Sequence, residues 1–344
     1  MKIKDICTSV TDGSHNPPQG IEKSQYMMLS SKNIFDDEIT FDEPRFLSEK
    51  DFEREHKRTK IAVGDVLLTI VGTVGRTAVV DEDMPAFALQ RSVAVLHPKN
   101  DVCLPRFLMY ALRGKRTYIA NRAKGVAQKG IYLKEVSDID IYIPDISNQE
   151  IIINKLDKVN AIIKLRQEEL LALDNLIKAR FVEMFGDPIR NIQNRPTTEL
   201  INVVKMQRGF DLPVQDRQQD GNIPVFGSNG ALDHHNVAKV KGGGVITGRS
   251  GTIGNVYYTD GDYWPLNTSL FSIDTHGNNV VYLAYLLTMY DLSRFTEGTG
   301  VPTLNRNKFH NKPIIDVSLD EQIQFANFVK QVDKSKFIQM NSTI

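Results

Sequence analysis

The chain has little of what catalysis, secretion or a membrane would require. Its 344 residues hold two cysteines, Cys7 and Cys103, in unrelated contexts and without metal-ligand spacing. Neither a disulfide framework nor a cysteine metal site is expected, and reduced core thiols are. No run of 18 apolar residues offers a membrane span. The opening MKIKDICTSV has lysines but no continuous apolar segment, so it does not read as a signal peptide. A cytoplasmic location is the expectation. Formal net charge is zero, which argues against a simple polyanion binder.

Catalytic motifs are missing too. There is no G-x-x-x-x-G-K-[ST] to cradle nucleotide phosphates, no H-E-x-x-H and no G-x-S-x-G. A metal-dependent nuclease would want Pro-Asp followed by Glu-x-Lys. Pro144-Asp145 is the only Pro-Asp, and no Glu-x-Lys follows it. Asn16-Pro17-Pro18-Gln19 is close to the Asn-Pro-Pro-aromatic loop of amino-methyltransferases, but Gln19 stands where an aromatic would stack on a flipped base. It reads as a turn. His234-His235 lacks a third ligand and reads as loop surface. These absences point to a binding subunit.

What is present is a repeat. Residues 72–80 read GTVGRTAVV and residues 251–259 read GTIGNVYYT. A lone Gly-x-x-Gly means little, but other landmarks follow in the same order. Ile3–Ile6 with Asp12-Gly13 matches Leu200–Val203 with Arg208-Gly209, and Leu29–Asn33 matches Phe226–Asn229. After the turn, Gly125–Gln128 faces Gly300–Thr303, and Ile143–Gln149 matches Asp316–Gln322. Constant order with a drifting offset is what a diverged duplication with loop insertions produces. The largest insertion falls between Asn33 and Gly64, an acidic stretch expected to be loop.

Apolar runs flank each glycine turn and predict hairpins. Helices are predicted over Pro105–Tyr118 and Val280–Phe295. The fold class expected is α+β: two duplicated domains of mixed strands and helices, 1–146 and 188–317. Between them lies 147–187, free of glycine and proline until Gly186. Ser147 with Glu150 gives a capping-box pattern. Ile152, Leu156, Val159, Ile163, Leu170, Leu173, Ile177, Phe181 and Met184 recur at coiled-coil spacing. Some 37 residues would reach roughly 55 Å. The partner expected is the helix opened by Ser318, over 318–344, pairing antiparallel so that the two domains lie at opposite ends. Phe181, Val182, Met184 and Phe185 exceed one seam's needs; two readings stand, packing against the second domain and docking onto another subunit, and docking is the one expected.

Charge is unevenly placed. From Pro85 to Lys134 ten Lys or Arg face one acid, Asp101. Such a stretch is a phosphate footprint or a solvated face neutralised from elsewhere in the fold.

In combination these features resemble the DNA-sequence specificity subunit of type I restriction–modification systems. The turn G-T-[VI]-G in both halves carries the resemblance, with the two Gln-bearing helix openings and Leu176–Pro188. It covers essentially the whole chain. It implies that the two domains are target-recognition domains, each reading one half of a split site on double-stranded DNA, with the paired helices as a ruler. It implies a methylation subunit, in two copies, that binds S-adenosylmethionine and modifies adenine, and a restriction subunit that uses ATP and Mg2+. The specificity subunit itself binds no cofactor or metal and performs no chemistry. One departure is the end of the second helix, Phe337–Ile344, which has no counterpart of Phe181–Pro188. It reads as a truncated arm, from a frameshifted or recombined gene or one completed by a second polypeptide.

Base readout favours Arg, Lys, Asn and Gln, and phosphate positioning adds Ser, Thr and backbone N–H. The first-domain candidates are Ser14, His15, Lys32, Arg76, Arg91, Lys124, Gln128, Lys129 and Tyr132. Those of the second are Arg208, Ser228, Asn229, Arg249, Ser250, Asn267, Thr303, Asn305 and Arg306. Two other classes remain open: a coiled-coil protein-interaction scaffold with no DNA role, and the remnant of a fused methylase–nuclease.

Overall fold

Each glycine turn joins two strands, and each pair of strands belongs to a four-stranded sheet. The computed structural model describes residues 1–125, 129–298 and 302–341, with side chains to Phe337. The chain divides into two units, Met1–Ile163 and Lys164–Ile344.

In the first unit the strands of the two sheets that recur are β1 (Cys7–Asp12), β2 (Met27–Leu29), β3 (Arg45–Phe46), β4 (Val66–Thr69), β5 (Thr77–Val79), β6 (Phe87–Leu89) and β7 (Val93–Pro98), beside a short separate pair, Ile34–Phe35 with Glu38–Ile39. The corresponding strands of the second unit are β8 (Lys205–Arg208), β9 (Ile223–Gly227), β10 (Gly230–His235), β11 (Gly244–Gly248), β12 (Val256–Thr259), β13 (Trp264–Pro265) and β14 (Ser269–Asp274), beside two separate pairs, Thr197–Glu199 with Pro313–Ile315 and Thr296–Glu297 with Thr303–Leu304. The sheets run β1-β7-β4-β5 and β8-β14-β11-β12, beside smaller sheets β3-β2-β6 and β10-β9-β13. Adding seven to each strand of the first unit gives the second. Even the one parallel pair of each small sheet recurs, β2 with β6 and β9 with β13. The duplication is therefore one of topology.

The turn glycines explain the conserved look of the two stretches. Gly72 and Gly75 have φ of 81° and 96°, and Gly251 and Gly254 have 84° and 100°. This left-handed backbone favours glycine. The match after the turn shifts by two residues from the expected one. Gly130 bridges Val71 as Thr303 bridges Ser250, so Gly130, not Gln128, is the partner of Thr303. Gln128 itself lies outside the described residues.

Helices α1 (Ile3–Ile6), α2 (Glu49–Thr59), α3 (Pro105–Gly114), α4 (Ile146–Phe185), α5 (Leu200–Val203), α6 (Val280–Tyr290) and α7 (Leu319–Asn341) complete the frame. Proline opens α3, whose Phe107, Leu108, Met109 and Leu112 pack on the sheet with Val66 and Leu68. The insertion between Asn33 and Gly64 holds β3 and the capped helix α2. It is not plain loop. The start of α4 differs as well: Asp145 accepts from the backbone N–H of Asn148 at 2.9 Å, so Asp145 is the cap and not Ser147. Ser318 does cap α7, accepting from Glu321 N and donating to its carboxylate.

One buried glutamine per unit ties the long helix to the sheet-packing helix. Gln149 Nε2 donates to Val102 O and Pro144 O, while its Oε1 accepts from Leu104 N at 2.8 Å. Gln322 Nε2 donates to Val317 O and Asn278 Oδ1, and Oε1 accepts from Asn279 N at 2.9 Å. A buried amide with every group bonded is a strong local constraint.

Within the second unit α7 runs antiparallel to the end of α4. Phe325 stacks edge-on to Phe181 and Phe185, and Lys336 reaches Asp174 at 2.7 Å. Ile177 is buried there, and Leu173 and Met184 are partly buried. Earlier on α4, Ile152, Leu156, Val159 and Ile163 are exposed, although the seam spacing expected them covered.

This packing corrects the docking surface. Phe181 and Phe185 are fully buried against Tyr282 and Phe325, so neither is free to meet another subunit. Met184 packs at the same core, and only Val182 is exposed. The aromatic excess is spent on joining α4 to α6 and α7. The groove left outside is lined by Leu176, Ala179, Arg180, Glu183 and Phe328.

Candidate nucleic-acid interface

Three predicted arginines differ from the rest. Among the described residues, each other arginine is held by a carboxylate, a backbone carbonyl or an aromatic ring. Arg91, Arg208 and Arg306 have no such partner there. All three line clefts at matching places in the two units.

The first-unit cleft, of 270 Å³, gathers Asp12, His15, Arg91, Lys124 and Tyr132 beside Ile70 and Gly130. A neighbouring cleft of 540 Å³ adds Ser14, Ser30, Gln90 and Ser92 and shares Arg91. The second-unit cleft, of 300 Å³, gathers Arg208, Arg249, Glu297, Thr303, Asn305 and Arg306. Backbone hydrogen bonds place them equivalently. Ile131 N donates to Ile70 O at 2.9 Å, and Leu304 N donates to Arg249 O at 2.8 Å. Gly13 and Gly209 lie at the base of each. A Cβ on Gly13 would come within 2.1 Å of Leu89 O, and one on Gly209 within 2.2 Å of Leu266 O. Only glycine allows this close strand crossing.

The two clefts exchange charges. Asp12 ends β1 where Arg208 ends β8, and Lys124 pairs with Gly130 where Glu297 pairs with Thr303. In the first unit Asp12 lies 2.7 Å from His15 Nε2 and is neutralised by Arg58 of α2 at 3.4 Å, and Lys124 stands 3.9 Å from Glu135, leaving Arg91 unopposed. In the second, Lys308 pairs with Glu297 at 2.8 Å, leaving Arg208 and Arg306 unopposed. Both clefts end net positive, as an anion site requires. Asp12 and Glu297 were missed from sequence because acids are not phosphate ligands. The alignment of Asp12-Gly13 with Arg208-Gly209 was the available signal.

Several candidates fall elsewhere. Arg76 lies over the Phe35 ring at 4.7 Å and donates to Ile34 O, so it holds the fold. Ser14 borders the neighbouring cleft but is itself buried, and its backbone bonds Leu89 and Arg91. Lys32 pairs loosely with Glu43 at 3.7 Å. Lys129 and Asn229 are exposed, and Ser228 and Ser250 half-buried, outside the cleft linings. Much of the basic stretch is neutralised at home: Arg106 by Asp157, Arg113 by Asp37 and Arg116 by Asp36, at 2.6, 2.9 and 2.5 Å. Asp36 and Asp37 of the insertion, with Asp157 of α4, therefore supply the counter-charge. Such pairs trade solvation for attraction and leave little field outside.

No group of His, Cys, Asp and Glu able to hold a metal occurs among the described residues. Burial pushes the Cys7 and Cys103 thiols up to about 12, which makes them inert. No helix among the described residues is long and apolar enough to cross a membrane.

The family model for the type I restriction modification DNA specificity domain matches residues 1–175 and 191–344. The chain belongs to this family. A DNA specificity family supplies recognition in such systems, and catalysis belongs to other subunits. The chain is also similar to the type I restriction enzyme EcoBI specificity subunit of Escherichia coli, 27% identical over 188 residues, which cover 53% of this chain and 38% of that one. It thus spans well under half the length of that relative. The crystal structure of a type I S subunit from M. genitalium shares the fold, with a TM-score of 0.57 at 13% identity over 99% of this chain and 91% of that one. A chain from a type I R-M system studied for complex assembly and conformational transition gives 0.54 at 16% identity, over 99% and 92%. Each of the two matched segments contains one of the clefts.

Proposed function

We propose that the chain reads a bipartite sequence on double-stranded DNA, one half-site per unit, and positions partner subunits on it. The observation that carries this is the recurrence of one positive cleft in both units with Arg91, Arg208 and Arg306 unpartnered. An unpaired guanidinium at the mouth of a cleft is poised for base edges or phosphates. The partners are two copies of a methylation subunit with S-adenosylmethionine and a restriction subunit with ATP and Mg2+, in a DNA-associated cytoplasmic complex. None of these cofactors is assigned to this chain. α4 serves both units and supports a ruler role. The exposed row Ile152, Leu156, Val159 and Ile163 supports a further helix laid along it, from a second fragment.

The test is co-expression with the methylation subunit of its own system, followed by sequencing host DNA for methyl-adenine. Two short half-sites with a fixed gap are expected. A complex that forms yet binds no duplex, specifically or otherwise, would favour the scaffold reading instead.

A further inference from the structure

One backbone slot recurs in the two units, and a different side chain fills it in each. In the first, Ser14 follows the crossing glycine and its carbonyl accepts from Arg91 N at 3.0 Å. In the second, Phe210 follows it and accepts from Asn267 N at 2.9 Å. The preceding residues agree as well: Gln90 N donates to Leu29 O at 2.9 Å, and Leu266 N to Phe226 O at 2.7 Å. Positions 91 and 267 are therefore the same point of the same fold, fixed by backbone bonds alone. Their side chains can differ at no cost to the frame.

The side chains differ in a way that matters to a base pair. The Arg91 guanidinium is exposed, lacks a partner among the described residues, and borders both first-unit clefts. Two of its parallel N–H groups match O6 and N7 of guanine. The Asn267 amide nitrogen donates one hydrogen to Asp211 Oδ1. That bond fixes the amide plane and leaves Oδ1 and the second N–H, which match N6–H and N7 of adenine. The Asp211 carboxylate disfavours a phosphate at that point, and Asn267 has no charge to attract one. A role in positioning the backbone is thus poorly served at the second slot.

We infer that this slot is a specificity position of each unit, with Arg91 reading a guanine in one half-site and Asn267 an adenine in the other. The inference rests on the clefts being the DNA faces; Asn267 stands beside the second-unit cleft, its carbonyl accepting from the cleft residue Arg249 at 3.4 Å. The test is the methylated motif of the assembled complex carrying wild-type chain, Arg91→Asn, Arg91→Lys or Asn267→Arg. Arg91→Asn should change the preference at one position of one half-site by about 10-fold or more, and Asn267→Arg at one position of the other. Arg91→Lys keeps the charge but loses the fork, and should relax the guanine. A bipartite wild-type motif that survives all three substitutions, with methylation only weakened, would overturn the slot while leaving the functional reading intact. A wild-type complex with no bipartite motif would overturn both.

Discussion

Arg208 and Arg306 show how a recognition surface is kept ready. Most arginines of the chain are consumed by acids nearby, so exposure alone does not identify the ones left for a ligand. Buried polar residues carry the fold in a different way. Gln149 and Gln322 each satisfy three partners. Substitution of either by leucine should cost about 3 kcal/mol in urea unfolding, because backbone groups would be left unpaired. His310 predicts a pH effect. Met206 N donates to its Nε2 at 3.1 Å, so the ring there is neutral. Burial, then the charges of Arg306 and Lys205, hold its pKa below the usual value. The unfolded chain therefore takes the proton first. The stability is complete above about pH 6.5 and is lost as pH falls toward the folded value. Thermal melts of His310→Gln should show a flatter dependence than wild type between about pH 7 and pH 5.

At the scale of elements, the long helix divides its work. Its last turns are core, and Phe181→Ala should destabilise the second unit by about 3–5 kcal/mol. Val182→Ala, on the exposed side, should change the melting temperature little. Equal effects on partner binding and none on stability would restore the docking role that burial removes. Periodicity and turn glycines made the strands, the duplication and α4 legible, because both follow from local backbone rules. What spacing could not supply was the occupant of each face. The repeat of Phe181 and Phe185 looks the same whether Phe325 or another protein covers it. In the same way Arg106, Arg113 and Arg116 read as a footprint until the fold brings Asp157, Asp37 and Asp36 beside them. Of the clefts, Arg91, Lys124, Arg208, Arg249, Thr303 and Arg306 were visible as residue types, while their separation from Arg76 needed the strand crossings.

At the scale of the whole molecule, zero net charge and a DNA role are compatible because charge is sorted, not accumulated. Most arginines are held in fixed contacts, and the three without a partner among the described residues, Arg91, Arg208 and Arg306, lie in the two equivalent clefts. The central claim is that these clefts meet DNA. The most direct measurement is the salt dependence of duplex binding by the complex assembled with the methylation subunit, for wild type and for the Arg208→Ala, Arg306→Ala double variant. The loss of two phosphate-facing cations should flatten the slope of log affinity against log salt by about two units. An unchanged slope and affinity, with the complex intact, would contradict the account.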